Sequence, residues 1–188
     1  MKIARALFVS MVVFVGLVSF AYAAQIPVAS VGTDAGGQTY NNSPSLLSDG
    51  YIPPEGTAWT NTTNVWWTGP NNIYNDWFNH PSFILDFGDI YRLDAVRVQV
   101  DNNDRYALMG STNGSSWGTF YIIEAADGNV GWGMDTFDIP ASSFNQVGSV
   151  DVRYVKLFAL SGDGMYAASE VQAFGALPNA VPEPLYRL

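Results

Sequence analysis

The stretch "LDAVRVQVDNND" limits the fold of this chain more than any other feature of the sequence. Its apolar and polar side chains alternate, with Val96, Val98 and Val100 on one side of an extended chain and Arg97 and Gln99 on the other. A repeat of two residues is that of a β-strand with one buried face, whereas a helix repeats every 3.6 residues. The pattern therefore predicts a half-buried strand.

Other short apolar runs point the same way. Strands are predicted at residues 83–87, 152–160 and 169–174, and a hairpin around Asn113-Gly114, a dipeptide that favours tight turns. Gly and Pro interrupt the chain at short intervals, and no stretch after residue 23 has helical periodicity. These features predict an all-β fold, an antiparallel sandwich or jelly roll in a single domain.

Residues 1–23 have the features of a signal peptide. Lys2 and Arg5 precede an apolar run at residues 7–20, and Ala21-Tyr22-Ala23 has the small-x-small pattern of a cleavage site. The alternative is a membrane anchor that is retained, but the run is shorter than the about 20 residues that a spanning helix needs. We expect cleavage, and a mature chain without a transmembrane segment.

Composition excludes several classes of function. The chain has no cysteine, which excludes disulfide-stapled folds and thiol chemistry. Without Lys2 and Arg5, six basic residues remain against 17 acidic ones. Phosphate backbones and anionic lipids attract the opposite charge, so we predict no nucleic-acid partner.

The mature chain divides into three parts. Residues 24–45 are rich in small polar residues and are expected to form a loosely structured lead-in. Residues 46–175 contain the strand patterns and form the predicted domain. Residues 176–188 contain three prolines in thirteen positions and are expected to be an extended, disordered tail.

No set of side chains in the sequence has the pattern of a catalytic group. His80 is the single histidine, and the sequence contains neither a Gly-x-Ser-x-Gly motif nor a transition-metal spacing. We therefore predict that the protein is not an enzyme.

Five motifs occur in an order that resembles the discoidin-like, or coagulation-factor type C, domains, which are galactose-binding-like jelly rolls. They are "LSDGYIPPEGTAWT", "FILDFGDIYRLDAVRVQV", "STNGSSW", "RYVKLFAL" and "SEVQAFG", and the resemblance covers residues 46–175. Phe87 and Asn113 replace the Leu and Asp of the family pattern. The resemblance implies a jelly roll that binds ligands through its projecting loops.

Glu170 is a lone carboxylate among apolar residues, and three interpretations compete for it: a solvent-facing residue on an edge strand, a salt bridge to a nearby Arg or Lys, or a calcium ligand. The resemblance implies the last. It assigns Asp49, Thr57 and Glu170 as side-chain ligands of a structural Ca²⁺, with backbone carbonyls, including that of Ser169, completing the shell. The predicted metal ties the last strand to an early loop.

Aromatic and amide residues cluster between Trp59 and Pro81. Sugars offer apolar C–H faces and a rim of hydroxyls, which flat aromatic rings and amides match. Neighbours on a strand point to opposite sides, so at least one of Trp66 and Trp67 should face solvent or a ligand. Trp59 and Trp117 are expected in the core. The predicted ligand-binding residues are Trp66, Trp67, Asn72, Asn75, Trp77 and Phe78.

These features predict a non-catalytic, extracellular carbohydrate-binding protein that recognises cell-surface or matrix polysaccharide. The alternative is a structural or adhesive matrix protein that acts through protein contacts and has no sugar site. Near the end of the chain, "VPEP" at residues 181–184 resembles the start of the PEP-CTERM sorting signal of exopolysaccharide-producing Gram-negative bacteria. Secretion or cell-surface display by such a bacterium is the expected location.

Overall fold

A computed structural model describes residues 23–34, 39–69, 81–128, 130–145 and 148–178. The expected signal peptide, up to residue 22, and the "VPEP" motif lie outside these residues. Two short 3₁₀ turns, Pro44–Ser48 and Ala141–Ser143, accompany nine strands, and no helix in the described part of the chain is long and apolar enough to cross a membrane. The prediction of an all-β antiparallel fold is confirmed. The strands are β1 (Ser30–Asp34), β2 (Tyr40–Asn41), β3 (Val65–Thr68), β4 (Ser82–Asp101), β5 (Arg105–Ser111), β6 (Gly118–Ile123), β7 (Met134–Pro140), β8 (Val150–Ser161) and β9 (Met165–Ala176).

The sheet is organised around β4, which is 20 residues long. Its first part pairs with β1 and β8, and its last part with β9 and β7. The hydrogen-bonded order is β2-β3-β9-β4-β8-β5-β6. The ladder with β8 is interrupted between Asp86 and Tyr91, around Gly88, whose φ of 80° few other residues adopt. The two apolar runs predicted as separate strands are therefore one strand that joins both layers of a sandwich.

The core is one cluster drawn from both parts of β4. Phe83 and Leu85 come from its first part, and the alternating Val96, Val98 and Val100 from its last part, all at most 1 % exposed. The predicted inward face of the valine strand is confirmed. β5 and β6 form the hairpin predicted around Asn113-Gly114.

The expectation of a loosely structured lead-in is wrong. β1 pairs residue by residue with the first part of β4, β2 pairs with β3, and Ile26 is 2 % exposed in the core cluster. The small polar residues of β1 join the sheet through backbone hydrogen bonds, which do not depend on side-chain composition. Composition alone therefore underestimated the order of this segment.

Trp66 and Trp67 lie on opposite sides of β3, as the alternation predicts. Trp66 is half-buried, and its ring meets that of Trp59 edge-on, with centroids 5.2 Å apart. Trp67 is fully buried and contacts the rings of Phe83, Tyr106 and Tyr166. The prediction that Trp67 binds a ligand is therefore wrong, because its ring is enclosed by the core.

Trp67→Ala should lower the free energy of unfolding by about 3–5 kcal/mol, because it opens a cavity among three aromatic rings. Trp66→Ala is the matched control on the preceding residue, and it should cost clearly less because that ring is half-buried. Urea unfolding followed by circular dichroism measures both changes. Equal costs would contradict the assignment of the two faces.

Candidate functional site

Residues 49–57, here named the covering loop, pack against the outer face of β4 and β9. Gln99 donates from its side-chain amide to the Pro53 carbonyl at 2.8 Å and to the Thr136 hydroxyl at 3.0 Å. The Ser169 hydroxyl and the Gln99 carbonyl oxygen are 2.5 Å apart. Gln99 was predicted on the solvent side, yet it is 0 % exposed because the covering loop encloses it.

A β-bulge at Ser169 determines the direction of Glu170. The ladder between β4 and β9 shifts register there, since Glu170 lies opposite Gln99 with Ser169 as the extra residue. Ala168 faces the core before the bulge and Val171 faces it afterwards. Glu170 is thereby turned away from the core, beneath the covering loop.

Glu170 is 1 % exposed, and its Oε2 accepts a hydrogen bond from the backbone N–H of Gly50 at 3.3 Å. Burial is the largest cause that raises the pKa of Glu170, to about 7, and the nearby charge of Asp49 raises it further. Hydrogen bonds from Gln172 and from the backbone of Gly50 and Asp49 act in the opposite direction. The solvent-facing interpretation of Glu170 is thus wrong, and the early loop contacts the last strand through the hydrogen bond from Gly50.

Two of the other proposed metal ligands, Thr57 and Ser169, use their hydroxyls elsewhere. Thr57 donates from Oγ1 to the Pro54 carbonyl at 2.6 Å, and its own carbonyl accepts from the Met134 N–H at 2.9 Å. The Ser169 hydroxyl is taken by Gln99. Within the described residues, no group of three or more His, Asp or Glu side chains is arranged to hold a metal. A cation beside Asp49 and Glu170 would thus take its remaining ligands from backbone carbonyls, which suits calcium.

The loop between β6 and β7, residues 124–133, packs against the covering loop; its Asn129 lies outside the described residues. Gly56 donates its N–H to the Met134 carbonyl at 2.8 Å, and Met134 donates to Thr57 in return. Near the end of the β6–β7 loop, two residues before β7, Trp132 is 70 % exposed, more than any other large apolar side chain that the structure describes. Trp132 was not among the predicted binding residues, although its setting in "GWG" is typical of a projecting turn.

Four of the predicted ligand-binding residues, Asn72, Asn75, Trp77 and Phe78, lie outside the described residues, as does His80. Of the predicted set, Trp66 remains as a half-buried residue of β3. Trp117, expected in the core, is half-buried beneath the Lys156 ammonium, which lies 4.3 Å from the ring centre.

Two carboxylates are buried in the turn between β4 and β5. Asp104 accepts hydrogen bonds from the Tyr106 hydroxyl at 3.3 Å and from the Asp163 N–H at 3.1 Å. Asp101 Oδ1 has no hydrogen-bond partner among the described residues. Burial is the largest cause that raises both pKa values, to about 6 for Asp101 and about 8 for Asp104, and the charge of Asp163 raises them further.

No protein-family model matches the sequence, and no curated protein matches it. Solved structures do match. A fucose-binding module of Streptococcus pneumoniae has a TM-score of 0.55 at 12 % identity, over 81 % of this chain and 96 % of that one. The CBM32 module of AlyQ, in complex with 4,5-unsaturated mannuronic acid, has a TM-score of 0.54 at 14 % identity, over 81 % and 99 %. CpGH89CBM32-5 of Clostridium perfringens, with GalNAc-β-1,3-galactose, has a TM-score of 0.50 at 18 % identity, over 81 % and 100 %.

The fold is that of the galactose-binding-like jelly rolls. The predicted fold class is thus confirmed, and each of these modules is matched along nearly its whole length. At identities of 12–18 % the likeness shows the fold, and the jelly roll positions the covering loop and the β6–β7 loop together.

The buried acids predict an unusual dependence of stability on pH. A carboxyl pKa that is raised above its unfolded value of about 3.9 favours the folded state at low pH, and this contribution is lost as pH rises through the folded pKa. In chelator, the melting temperature should fall from about pH 4 to about pH 8, because the folded domain retains protons on Asp101, Glu170 and Asp104 that the unfolded chain has already lost.

Asp104→Asn should remove the upper part of this fall, because the amide stays neutral, whereas Asp127→Asn, at an exposed acid, should not. Thermal melts followed by circular dichroism across the pH range compare the three proteins. A wild-type melting temperature that rises steadily over this range would contradict the assignment.

Proposed function

We propose that this protein is a non-catalytic carbohydrate-binding module that recognises polysaccharide outside the cell. The observation that carries the proposal is the match, along nearly their whole length, to modules that are each described with a sugar ligand: fucose, unsaturated mannuronic acid and GalNAc-β-1,3-galactose. These modules bind sugars without catalysing a reaction, although some are attached to enzymes.

The proposed cellular location of the protein, and part of the proposed binding site, are inferred from the sequence. The signal-peptide pattern of residues 1–23 supports export, and the "VPEP" motif supports display by an exopolysaccharide-producing Gram-negative bacterium. Trp66, with the residues that come after β3, remains a proposed part of a sugar-binding surface. Those residues are Asn72, Asn75, Trp77 and Phe78.

A structural Ca²⁺ between the covering loop and β9 forms part of the proposal. Two observations support it: Glu170 is a buried carboxylate without a basic partner among its hydrogen-bond donors, and Asp49 adds a second negative charge beside it. Buried charge is unfavourable unless it is paired with a cation or protonated. Asp49 and Glu170 would hold the ion by their carboxylates, and backbone carbonyls, including that of Ser169, would complete the shell. Thr57, which was also expected to bind the ion, directs its hydroxyl to Pro54 and its carbonyl to Met134.

Calcium that binds only the folded state stabilises it by about 2.7 kcal/mol at a hundredfold excess over its Kd. We therefore expect the melting temperature near neutral pH to be several degrees higher in calcium than in EDTA. Glu170→Gln should abolish this difference. In EDTA the variant should be at least as stable as wild type, because it removes a buried charge.

Glu55→Gln is the matched control, since Glu55 is an exposed acid in the same loop. This variant should keep the calcium response. Differential scanning calorimetry of the three proteins in both buffers provides the test, and identical wild-type melts with calcium and with EDTA would eliminate the metal.

The proposed function itself is tested by applying the full chain, in calcium, to an array of bacterial, plant and animal glycans. We expect saturable binding to at least one glycan, with no product released. Heat-unfolded protein is the control for non-specific adsorption. A folded chain that binds no glycan but does retain proteins of an exopolysaccharide matrix would instead favour the adhesive alternative.

A further inference from the structure

Trp132 is exposed to solvent in a way that suits contact with a ligand. Its side chain is 70 % exposed, and Gly131 and Gly133, its neighbours along the chain, have no side chains to cover the ring. A large apolar ring in water is unfavourable, and an isolated one on a projecting loop is available to a partner.

Buried polar side chains hold the loop that carries this ring. Asp135, 0 % exposed, accepts from the Val130 N–H at 2.9 Å and from the Thr136 N–H at 2.8 Å. Asn102, 3 % exposed, accepts from the Gly128 N–H at 3.1 Å and donates its amide to the Val130 carbonyl. Fixed hydrogen bonds of this kind lower the entropy that a loop loses when it binds.

The covering loop contacts the residue that follows Trp132. Gly133 has a φ of 75°, and a Cβ atom there would lie 2.7 Å from the Thr57 carbonyl oxygen, so only glycine fits. Gly133 also accepts from the Asn102 N–H at 3.0 Å. These backbone contacts hold the β6–β7 loop against the covering loop.

The charges of the described residues restrict the ligand. All five of the basic residues that the structure describes are engaged: Arg92 with Asp151, Arg97 with Asp138, Arg105 with Glu124, Arg153 with Asp86, and Lys156 with the ring of Trp117. On the two loops beside Trp132, Glu55 and Asp127 are exposed acids. Uronic or sulfated sugars are recognised by Arg and Lys, so this surface suits an uncharged sugar.

We propose that Trp132 is the stacking platform for one ring of an uncharged polysaccharide, and this inference rests on the proposed function. One indole ring matches the C–H face of a single pyranose. Protein partners usually dock on apolar patches of several hundred Å², and anionic lipid surfaces require basic residues, so both fit this loop less well.

The test is affinity electrophoresis of the full chain, in calcium, through native gels that contain a neutral polysaccharide (β-glucan, galactan or galactomannan) or an acidic one (alginate or polygalacturonate). At least one neutral gel should retard the wild type. Trp132→Ala should weaken that binding roughly tenfold or more, and Trp132→Phe, which keeps a flat ring, should retain most of it.

Ile90→Ala, at an exposed apolar residue of β4, is the matched control and should bind as wild type does. Melting temperatures should be unchanged in all three variants, because the altered side chains are exposed. Unaltered binding by Trp132→Ala would overturn the role of Trp132 and leave the proposed function standing, and retardation by the acidic gels alone would overturn the preference for an uncharged sugar. A wild type that no gel retards, and that binds nothing on the glycan array, would contradict the proposed function as well.

Discussion

The candidate site depends on the packing of the covering loop against the outer face of β4 and β9. Gln99 donates to the carbonyl of Pro53, and Glu170 accepts from the N–H of Gly50. The two side chains that hold the loop, Gln99 and Glu170, are therefore both polar and buried. The same loop bonds to Met134 and thereby supports the β6–β7 loop. Hydrogen bonds thus connect the sandwich to the covering loop, and the covering loop to the end of the β6–β7 loop.

Three acidic side chains are buried inside the domain. Glu170, Asp101 and Asp104 are each at most 2 % exposed, and burial raises the pKa of all three. A chain with 17 acidic and 8 basic residues has few cations to pair with them. Protonation, or a bound divalent cation at Glu170, relieves the repulsion, which links the stability of the domain to its surroundings.

Strand periodicity in the sequence was enough to predict several parts of the fold. The alternating valines of β4, the hairpin at Asn113-Gly114 and the last strand are in their expected places. The features that periodicity could not predict depend on contacts between distant segments. Alternation showed that Trp66 and Trp67 face opposite sides, but the packing of Phe83 and Tyr166 decides which side is the core.

The same limit applies to the site. A register shift at Ser169 leaves no periodic trace in the sequence, and Gln99 is buried only because a loop more than 40 positions earlier covers it. Trp132 is a single aromatic residue in a glycine-rich turn, and no sequence pattern indicates that its side chain is exposed. The bonds that Asp135 and Asn102 make to its loop are also visible only in the folded structure.

The central claim is that the covering loop and the β6–β7 loop form one unit held on the sandwich through Gln99. Amide hydrogen exchange followed by NMR tests it most directly. The N–H groups of Gly56 and Met134 should exchange slowly in the wild type, and Gln99→Ala should accelerate both together while amides of β5 and β8 stay protected. Fast exchange at both amides in the wild type, or acceleration of only one of them in the variant, would contradict the account.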